Sequence, residues 1–210
     1  MPATADDRAP SGSSRVARRR DRRKAEIMRV TLGILSTSGY QGTSLEEVAE
    51  RTDIAKATIY HYFAGKDELV AAALESLTTE VLERLEHVGA GDGDAPALEH
   101  LRTLIREQLH VLNELYPEAG KLFSFPTSWP SVHSEAMKAM RRRHDAIFRA
   151  VVERGVEAGE FDCPDVDVAL HCLHGILNHA SVWVRASTDA EKLARSQEAV
   201  TAAALRIFVR

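Results

Sequence analysis

The stretch from Ser44 to Phe63 constrains the fold most, because it places two short amphipathic segments only a few residues apart. The first segment opens with an S-x-x-E capping box, in which the Ser44 hydroxyl and the Glu47 carboxylate are expected to satisfy two backbone N–H groups. The second segment is expected to be helical over about residues 55–63. The residues expected to be buried are Leu45, Val48, Ala49, Ile54, Ile59 and Phe63. Two short helices joined by a tight turn pack across each other, so this stretch predicts a helix-turn-helix.

The side chains that this burial pattern leaves outside suit a nucleic-acid surface. They are Lys56, Ala57, Thr58, Tyr60 and His61. An ammonium neutralises a phosphate, a threonine hydroxyl bonds a phosphate or a base, and an alanine methyl meets the methyl group of thymine. Lys66 begins the following helix, where free backbone N–H groups favour a phosphate. The competing interpretation is an ordinary helical corner without a nucleic-acid role.

The run from Gly39 to Leu69, GYQGTSLEEVAERTDIAKATIYHYFAGKDEL, resembles the tetracycline-repressor (TetR) family of bacterial regulators. The shared pattern is a Gly-x-x-Gly-Thr entry, an apolar-Ala pair, a Thr-apolar-Tyr-x-Tyr-Phe motif and a Lys after Gly. The resemblance implies an N-terminal DNA-binding domain, a larger effector-binding domain, a homodimer, and repression relieved by a small molecule. By position, it implies that Ser44 and Lys66 hold phosphates. It places Lys56, Ala57, Thr58, Tyr60 and His61 in or beside the major groove.

The chain departs from the family pattern at two places. The turn is Asp53-Ile54-Ala55, where the family usually has Gly-Val-Ser. Aspartate tolerates the left-handed conformation better than most residues, so the turn is expected to survive, with a capping role for Asp53 left open. Glu46 stands where some relatives carry a base-contacting Arg, and it either meets a cytosine amino group or faces solvent.

Charge is distributed unevenly along the chain. The net charge is −4, but the first 24 residues hold eight Lys or Arg against three Asp, a net charge of +5. Such an arm is either a solvated tail or a DNA contact, in which Arg18–Lys24 reaches phosphates or the minor groove. We expect residues 1–17 to form a disordered basic arm and residues 18–66 the DNA-binding domain, with its last helix continuing to about residue 88. Residues 67–210 are expected to bind the effector and to dimerise.

The remaining sequence predicts an all-α fold, because no segment sustains the alternation of a strand. Helices are expected over about residues 16–38, 66–87, 97–115, 131–158, 164–186 and 189–208, with a short helix within 116–130 and a loop at 89–96. No apolar run reaches membrane-spanning length, so no membrane partner is expected. The two cysteines are too few for a disulfide framework, and a cytoplasmic location is expected.

A ligand cavity is expected among the C-terminal helices, because a ligand-responsive regulator needs a site whose occupancy changes its DNA affinity. Large apolar side chains in and after the irregular segment are either core or pocket wall, and together they favour an apolar ligand. They are Phe123, Phe125, Trp129 and Phe148.

The helix expected over residues 164–186 carries polar groups on a face that should be largely buried. His171, His174 and Asn178 share that face, and such groups need a partner. The partner is a ligand, a second subunit, or a metal completed by His110 or His144. We assign His174 and Asn178 to the ligand, and we expect no metal or cofactor.

The C-terminal half has three further features that bear on its ligand and its partner. The basic run Arg141–His144 is a solvated face or a handle for an anionic group such as the phosphates of an acyl-CoA. The run HGILNHASVWVR (His174–Arg185) faintly resembles TetR-type regulators of lipid and steroid breakdown. Apolar residues in the last two helices alternate steps of four and three, which indicates helix–helix seams. These seams are within one chain or form a homodimer, and the resemblance favours the homodimer.

The leading hypothesis is therefore a homodimeric repressor that binds a palindromic DNA operator and is released by an apolar effector. One alternative is a metal-dependent helical-bundle enzyme that uses the histidine cluster, although no nucleophile elbow, HExxH motif or phosphate loop is present. Another is a sequence-indifferent DNA-binding protein, which the acidic body argues against.

Overall fold

The computed structural model describes residues 12–91, 95–124, 131–184 and 189–209. All regular structure within these ranges is helical, which confirms the all-α prediction. The helices are α1 (Gly12–Gly42), α2 (Leu45–Arg51), α3 (Lys56–Ile59), α4 (Lys66–Gly89), α5 (Ala97–His110), α6 (Pro117–Ser124), α7 (Ser131–Glu157), α8 (Val166–Trp183) and α9 (Ala190–Leu205). A π-helical turn, Val111–Leu115, continues α5. No helix in these ranges is long and apolar enough to cross a bilayer.

The chain divides into two compact units, Met1–Ala73 and Leu74–Arg210. The division falls somewhat beyond the boundary expected after residue 66, and it lies within α4. Helix α1 already begins at Gly12, inside the stretch predicted to be a disordered arm up to residue 17. Arg15 and Ala17, which lie in this additional part of the helix, are both strong helix formers.

The core of the first unit is formed by the apolar faces of α1 to α4. Its buried members are Ile27, Ile34, Leu45, Val48, Ala49, Ile59, Phe63 and Leu69. Gly39 has φ 67° and ψ −179°, which breaks α1 where the sequence predicts its end. Helix α3 is shorter than the predicted 55–63, because Tyr60 to Tyr62 close tighter turns in which His61 N donates to Thr58 O. The predicted helix-turn-helix nevertheless buries five of the six predicted residues, and Ile54 is half-buried against them.

The second unit packs α5 against α7, α8 and α9, and α6 against α8. The buried stripe of α5 is Leu101, Leu104, Ile105 and Leu109. The start of α5 is capped from a distance, since Ala97 N and Leu98 N donate to the Glu160 carboxylate at 3.0 and 3.2 Å. A Cβ on Gly120 would lie 2.7 Å from Ser181 Cβ, so the close approach of α6 and α8 depends on a glycine.

Candidate nucleic-acid interface and ligand cavity

Ser44 caps α2 as the sequence predicts. Its φ and ψ are extended, and its hydroxyl oxygen accepts a hydrogen bond from Glu47 N at 3.2 Å. The other predicted hydrogen bond of the capping box, from a backbone N–H to the Glu47 carboxylate, is wrong. That carboxylate accepts a hydrogen bond from Arg51 at 2.7 Å instead. A hydroxyl that accepts at a cap still has its own proton to donate, so Ser44 retains a donor for an anion.

The turn between α2 and α3 adopts the conformation expected from the sequence. Asp53 has φ 51°, and the turn is closed by Ile54 N donating to Ala49 O at 3.0 Å. The possible capping role of Asp53 is wrong, because the N-cap of α3 is Ala55 and no side chain bonds there. Aspartate thus supplies the left-handed backbone that glycine supplies in the usual family turn.

The outer face of the α3 segment carries all five predicted recognition residues. Ile59 and Phe63 are buried beneath it. Lys56, Ala57, Tyr60 and His61 are exposed and Thr58 is half-buried. The Tyr60 side chain is 51% exposed, and it is one of the few large hydrophobic side chains among the described residues that are exposed. The segment therefore presents one cation, one small apolar group and two aromatic hydrogen-bonding groups on a buried apolar base.

An ion pair crosses this face between the first turns of α2 and α3. The Lys56 ammonium bonds the Glu46 carboxylate, and the contact holds the pKa of Glu46 below its ordinary value. Both side chains are exposed, so the pair is weak and easily exchanged. Sequence reasoning considered cytosine or solvent as partners of Glu46, and it missed Lys56 because the two residues are ten positions apart. A phosphate that binds Lys56 must compete with Glu46.

Cations of the first unit also lie over aromatic rings. Lys66 Nζ lies 4.3 Å from the ring centroid of Tyr40, whose hydroxyl donates to Asp67. That hydrogen bond raises the pKa of Tyr40. The Arg20 guanidinium and the Lys24 ammonium lie 6.0 and 5.5 Å from the rings of Tyr62 and Phe63, respectively. The basic run of α1 therefore packs beside the α3 segment, within reach of a common polyanion.

The second unit encloses a cavity of about 380 Å³ between α4, α5, α7 and α8. Its wall consists of Thr78, Val81, Leu82, Gln108, Met140, Arg141, Arg142, His144, Asp145, Arg149, His171, His174 and Asn178. The predicted ligand residues His174 and Asn178 lie in this wall. The volume is that of a small-molecule site.

The aromatic residues predicted to line the cavity are not among its described wall residues. Phe148 is fully buried behind the cavity, with its ring centroid 5.2 Å from those of both His144 and His174. It therefore supports the wall without lining it. Phe125 and Trp129 lie outside the described residues, as does the side chain of Phe123.

A chain of polar contacts runs along the α7–α8 side of the cavity. His144 Nε2 lies 2.9 Å from Gln108 Oε1, and the His144 and His174 ring centroids are 4.9 Å apart. His174 Nε2 lies 3.4 Å from Asp145 Oδ1, and Arg149 Nε donates to Asp145 Oδ2 at 3.2 Å. Sequence reasoning grouped His174 with His171 and Asn178 but missed Asp145 and Arg149, which come from another helix.

Burial favours the neutral form of both cavity histidines. It lowers the pKa of His144 to about 3, and the neighbouring His174 contributes in the same direction. Burial also lowers the pKa of His174, although Asp145 acts against this shift. In the described part of the chain, no three His, Cys, Asp or Glu side chains are grouped in a way that could hold a metal ion. His110, considered above as a metal ligand, instead contacts Glu114 at 3.0 Å.

The basic run of α7 is divided between two roles. Arg143 makes a two-pronged ion pair with Glu86, at 2.5 and 2.7 Å. Arg141 and Arg142 line the cavity, are exposed, and have no ion-pair partner among the described residues. These two guanidinium groups are therefore available to an anionic part of a ligand.

The apolar seams of α8 and α9 are mostly internal to the protomer. Leu170, Leu173 and Leu177 of α8 are buried within the second unit. The opposite face of α8 exposes Val168 and Trp183, each 58% exposed, on either side of the exposed Cys172 and Gly175. The C-terminal half of α9 exposes the small residues Ala199, Ala202 and Ala203. These exposed faces, rather than the leucine seam, are free for a partner.

Comparisons with known proteins identify relatives of both parts of the chain. Residues 27–73 match the model of bacterial regulatory proteins of the tetR family, and residues 94–206 match the tetracyclin repressor-like C-terminal domain. The chain is 24% identical to the uncharacterized HTH-type transcriptional regulator YfiR of Bacillus subtilis, over 84% of this chain and 89% of the relative. It is 28% identical to the HTH-type transcriptional repressor KstR2 of Mycobacterium tuberculosis, over 74% and 77%.

A solved structure shares the whole fold. The structure of AibR in complex with isovaleryl coenzyme A and operator DNA matches with a TM-score of 0.73 and 16% identity, covering 87% of this chain and 96% of that one. At this identity the likeness concerns the fold alone.

Proposed function

The chain belongs to the TetR family of bacterial transcriptional regulators, and we propose that it is a homodimeric repressor whose operator affinity falls when an apolar small molecule occupies the cavity. The observation that carries the proposal is the exposed face of the α3 segment, held on a buried base in a unit separate from the cavity. Relatives named as transcriptional regulators and a repressor support a regulatory role without catalysis.

DNA binding is tested with a labelled fragment from upstream of the protein's own coding region. Replacing Tyr60 or Thr58 by Ala should weaken binding by about 1–3 kcal/mol if either side chain contacts a base edge. Lys56→Ala should weaken binding to all sequences and reduce the salt dependence by about one phosphate contact. Lys138→Ala, an exposed lysine of the second unit, is the matched control. Absence of a shift at low salt on every candidate operator would reject the proposal.

The effector is proposed to combine an apolar part with an anionic head, as an acyl-CoA does. The apolar part would occupy the cavity, and Arg141 and Arg142 would meet the phosphates. The fold neighbour AibR in complex with isovaleryl coenzyme A supports this choice. Isovaleryl-CoA and decanoyl-CoA should release labelled operator DNA. Combined replacement of Arg141 and Arg142 by Ala should weaken the release, whereas Arg195→Ala on α9 should not. Equal release by all three proteins would reject the role of the two arginines.

The homodimer is proposed to form through the exposed faces of α8 and α9. Trp183 and Val168 supply exposed apolar area, and the alanines of α9 allow close helix approach. Trp183→Glu combined with Val168→Glu should convert the dimer to a monomer in light scattering after size exclusion. Val16→Glu, at an exposed apolar position of α1, is the control. A dimer that persists in the double variant would place the interface elsewhere.

A further inference from the structure

Gln108 of α5 is a buried polar residue in the wall of the cavity. It is 3% exposed, and its neighbours along the helix, Leu104, Ile105 and Leu109, are fully buried. Its one side-chain hydrogen bond within the described residues joins Oε1 to Nε2 of His144, at 2.9 Å. A side-chain amide has two N–H donors besides its carbonyl oxygen, so both donors of Gln108 are left for another partner.

The protonation of His144 determines which way the Gln108 amide points. Burial lowers the pKa of His144 to about 3, which favours the neutral ring with a single N–H. The carbonyl oxygen of Gln108 can only accept a hydrogen bond, so this N–H is at Nε2 of His144. The ring is packed against Phe148 and His174, with centroids 5.2 and 4.9 Å away. Gln108 is therefore held with its carbonyl oxygen at His144 and its NH2 group free.

The amide nitrogen of Gln108 is open to the cavity. Within the described residues, the enclosed side-chain N and O atoms without a hydrogen-bond partner are Asn113 Oδ1 and both ring nitrogens of His174. Gln108 Nε2 has no partner either and is not one of these enclosed atoms, so it keeps accessible surface. Because Gln108 is otherwise buried and lines the cavity, this surface faces the cavity. A molecule in the cavity can therefore reach the two N–H groups.

An occupant of the cavity has to supply an acceptor to this amide. Buried donors in folded proteins nearly always have a partner, and a donor left without one costs free energy. A ligand that fills the cavity displaces water from the N–H groups, so it loses affinity unless it replaces the hydrogen bond. A hydrocarbon has no acceptor, and an ammonium brings only donors. A carbonyl oxygen accepts without bringing a proton that needs a partner of its own.

We propose that the Gln108 amide donates a hydrogen bond to the thioester carbonyl oxygen of an acyl-CoA effector. This inference rests on the proposed effector role of the cavity and names the group that is recognised at the start of the acyl chain. The chain lies against apolar wall residues such as Leu82 and Met140. The phosphates lie at Arg141 and Arg142, as proposed above. A site built around a hydrogen bond rejects analogues that lack the bonded group, so Gln108 selects acyl compounds.

The test compares decanoyl-CoA with decyl-CoA, the thioether in which a CH2 group replaces the carbonyl. Binding of each to the full-length protein is measured by calorimetry. Decanoyl-CoA should bind about tenfold more tightly than decyl-CoA. Gln108→Met should bind the two compounds equally, because methionine is a flexible apolar side chain without an N–H donor. Gln41→Leu, at an exposed glutamine of α1, is the control and should keep the preference.

A measurement on the wild type makes the test independent of the stability of Gln108→Met. The NMR signals of the Gln108 side-chain NH2 group report directly on its hydrogen bonds. One of the two protons should move downfield with decanoyl-CoA relative to decyl-CoA, because only the thioester offers it a carbonyl oxygen. Identical NH2 signals with the two compounds would contradict the proposal.

The proposal is also overturned if the two compounds bind the wild type equally, if neither binds, or if the preference persists in Gln108→Met. Release of operator DNA is measured separately on the same proteins. A Gln108-dependent preference for decanoyl-CoA without release of DNA by either compound would reject the proposed repressor mechanism and support this inference. Release of DNA by both compounds without a binding preference would do the reverse.

Discussion

The buried imidazole of His144 should make the stability of the protein depend on pH. Its ring lies between Gln108, His174 and Phe148, and burial lowers its pKa from 6.5 to about 3. A base whose pKa falls on folding binds a proton in the unfolded chain before it does so in the folded protein. Between pH 6.5 and pH 3 the unfolded state therefore holds more protons, and stability falls as the pH falls.

The change in the free energy of unfolding follows from the difference between the pKa of His144 in the unfolded and folded states. At pH 5 protonation of His144 stabilises the unfolded chain by about 2 kcal/mol and the folded protein hardly at all. At pH 7.5 the contribution is close to zero. The lowered pKa of His174 adds a contribution of the same sign.

The assay is urea unfolding of the wild type and His144→Gln at pH 7.5 and pH 5, at one protein concentration. Glutamine cannot titrate, and its amide can still donate to Gln108 Oε1. The loss of stability between the two pH values should be smaller in the variant by about 2 kcal/mol. His179→Gln, at an exposed histidine of α8, is the control. Equal losses in the wild type and His144→Gln would refute the reasoning, because the imidazole would then titrate in the same way in both states.

Three further changes test the local structure by urea unfolding. Asp53→Val should lower the free energy of unfolding by about 1–2 kcal/mol, because a β-branched residue fits φ 51° poorly. Asp53→Gly should be tolerated. If both variants lowered the free energy of unfolding equally, backbone strain would be excluded as the cause. Ser44→Ala should cost about 1 kcal/mol through the lost α2 cap even without DNA, whereas an unchanged midpoint would show that the cap contributes nothing. Gly155→Ala should cost about 1–3 kcal/mol, because its Cβ would lie 2.3 Å from the Phe161 ring. Gly33→Ala, which meets nothing within 4 Å, is the control, and a similar response of both would show that the Phe161 ring moves freely.

The helix-turn-helix was predictable because its information is local. The cap at Ser44, the left-handed turn at Asp53, and the burial of Ile59 and Phe63 follow from capping chemistry, backbone preference and helical period. Each of these effects acts over a few residues, so a single sequence contains it. The length of α3 was overestimated, because the tighter turns after Ile59 leave the apolar period unchanged.

Contacts between residues distant along the chain were decided only by the tertiary structure. The sequence alone determined a helical protein with a DNA-binding head, and it marked His174 and Asn178 as polar groups on a largely buried helix. It did not pair Glu46 with Lys56, place Asp145 beside His174, or separate Arg143 from the two arginines at the cavity. The spacing alone left open whether the leucine seam of α8 faces a partner or the protomer's own core, the resemblance favoured a partner, and the structure buries the leucines within the protomer. Helical period shows that a face is buried, but only the packing of helices shows which neighbour buries it and which charge stands opposite.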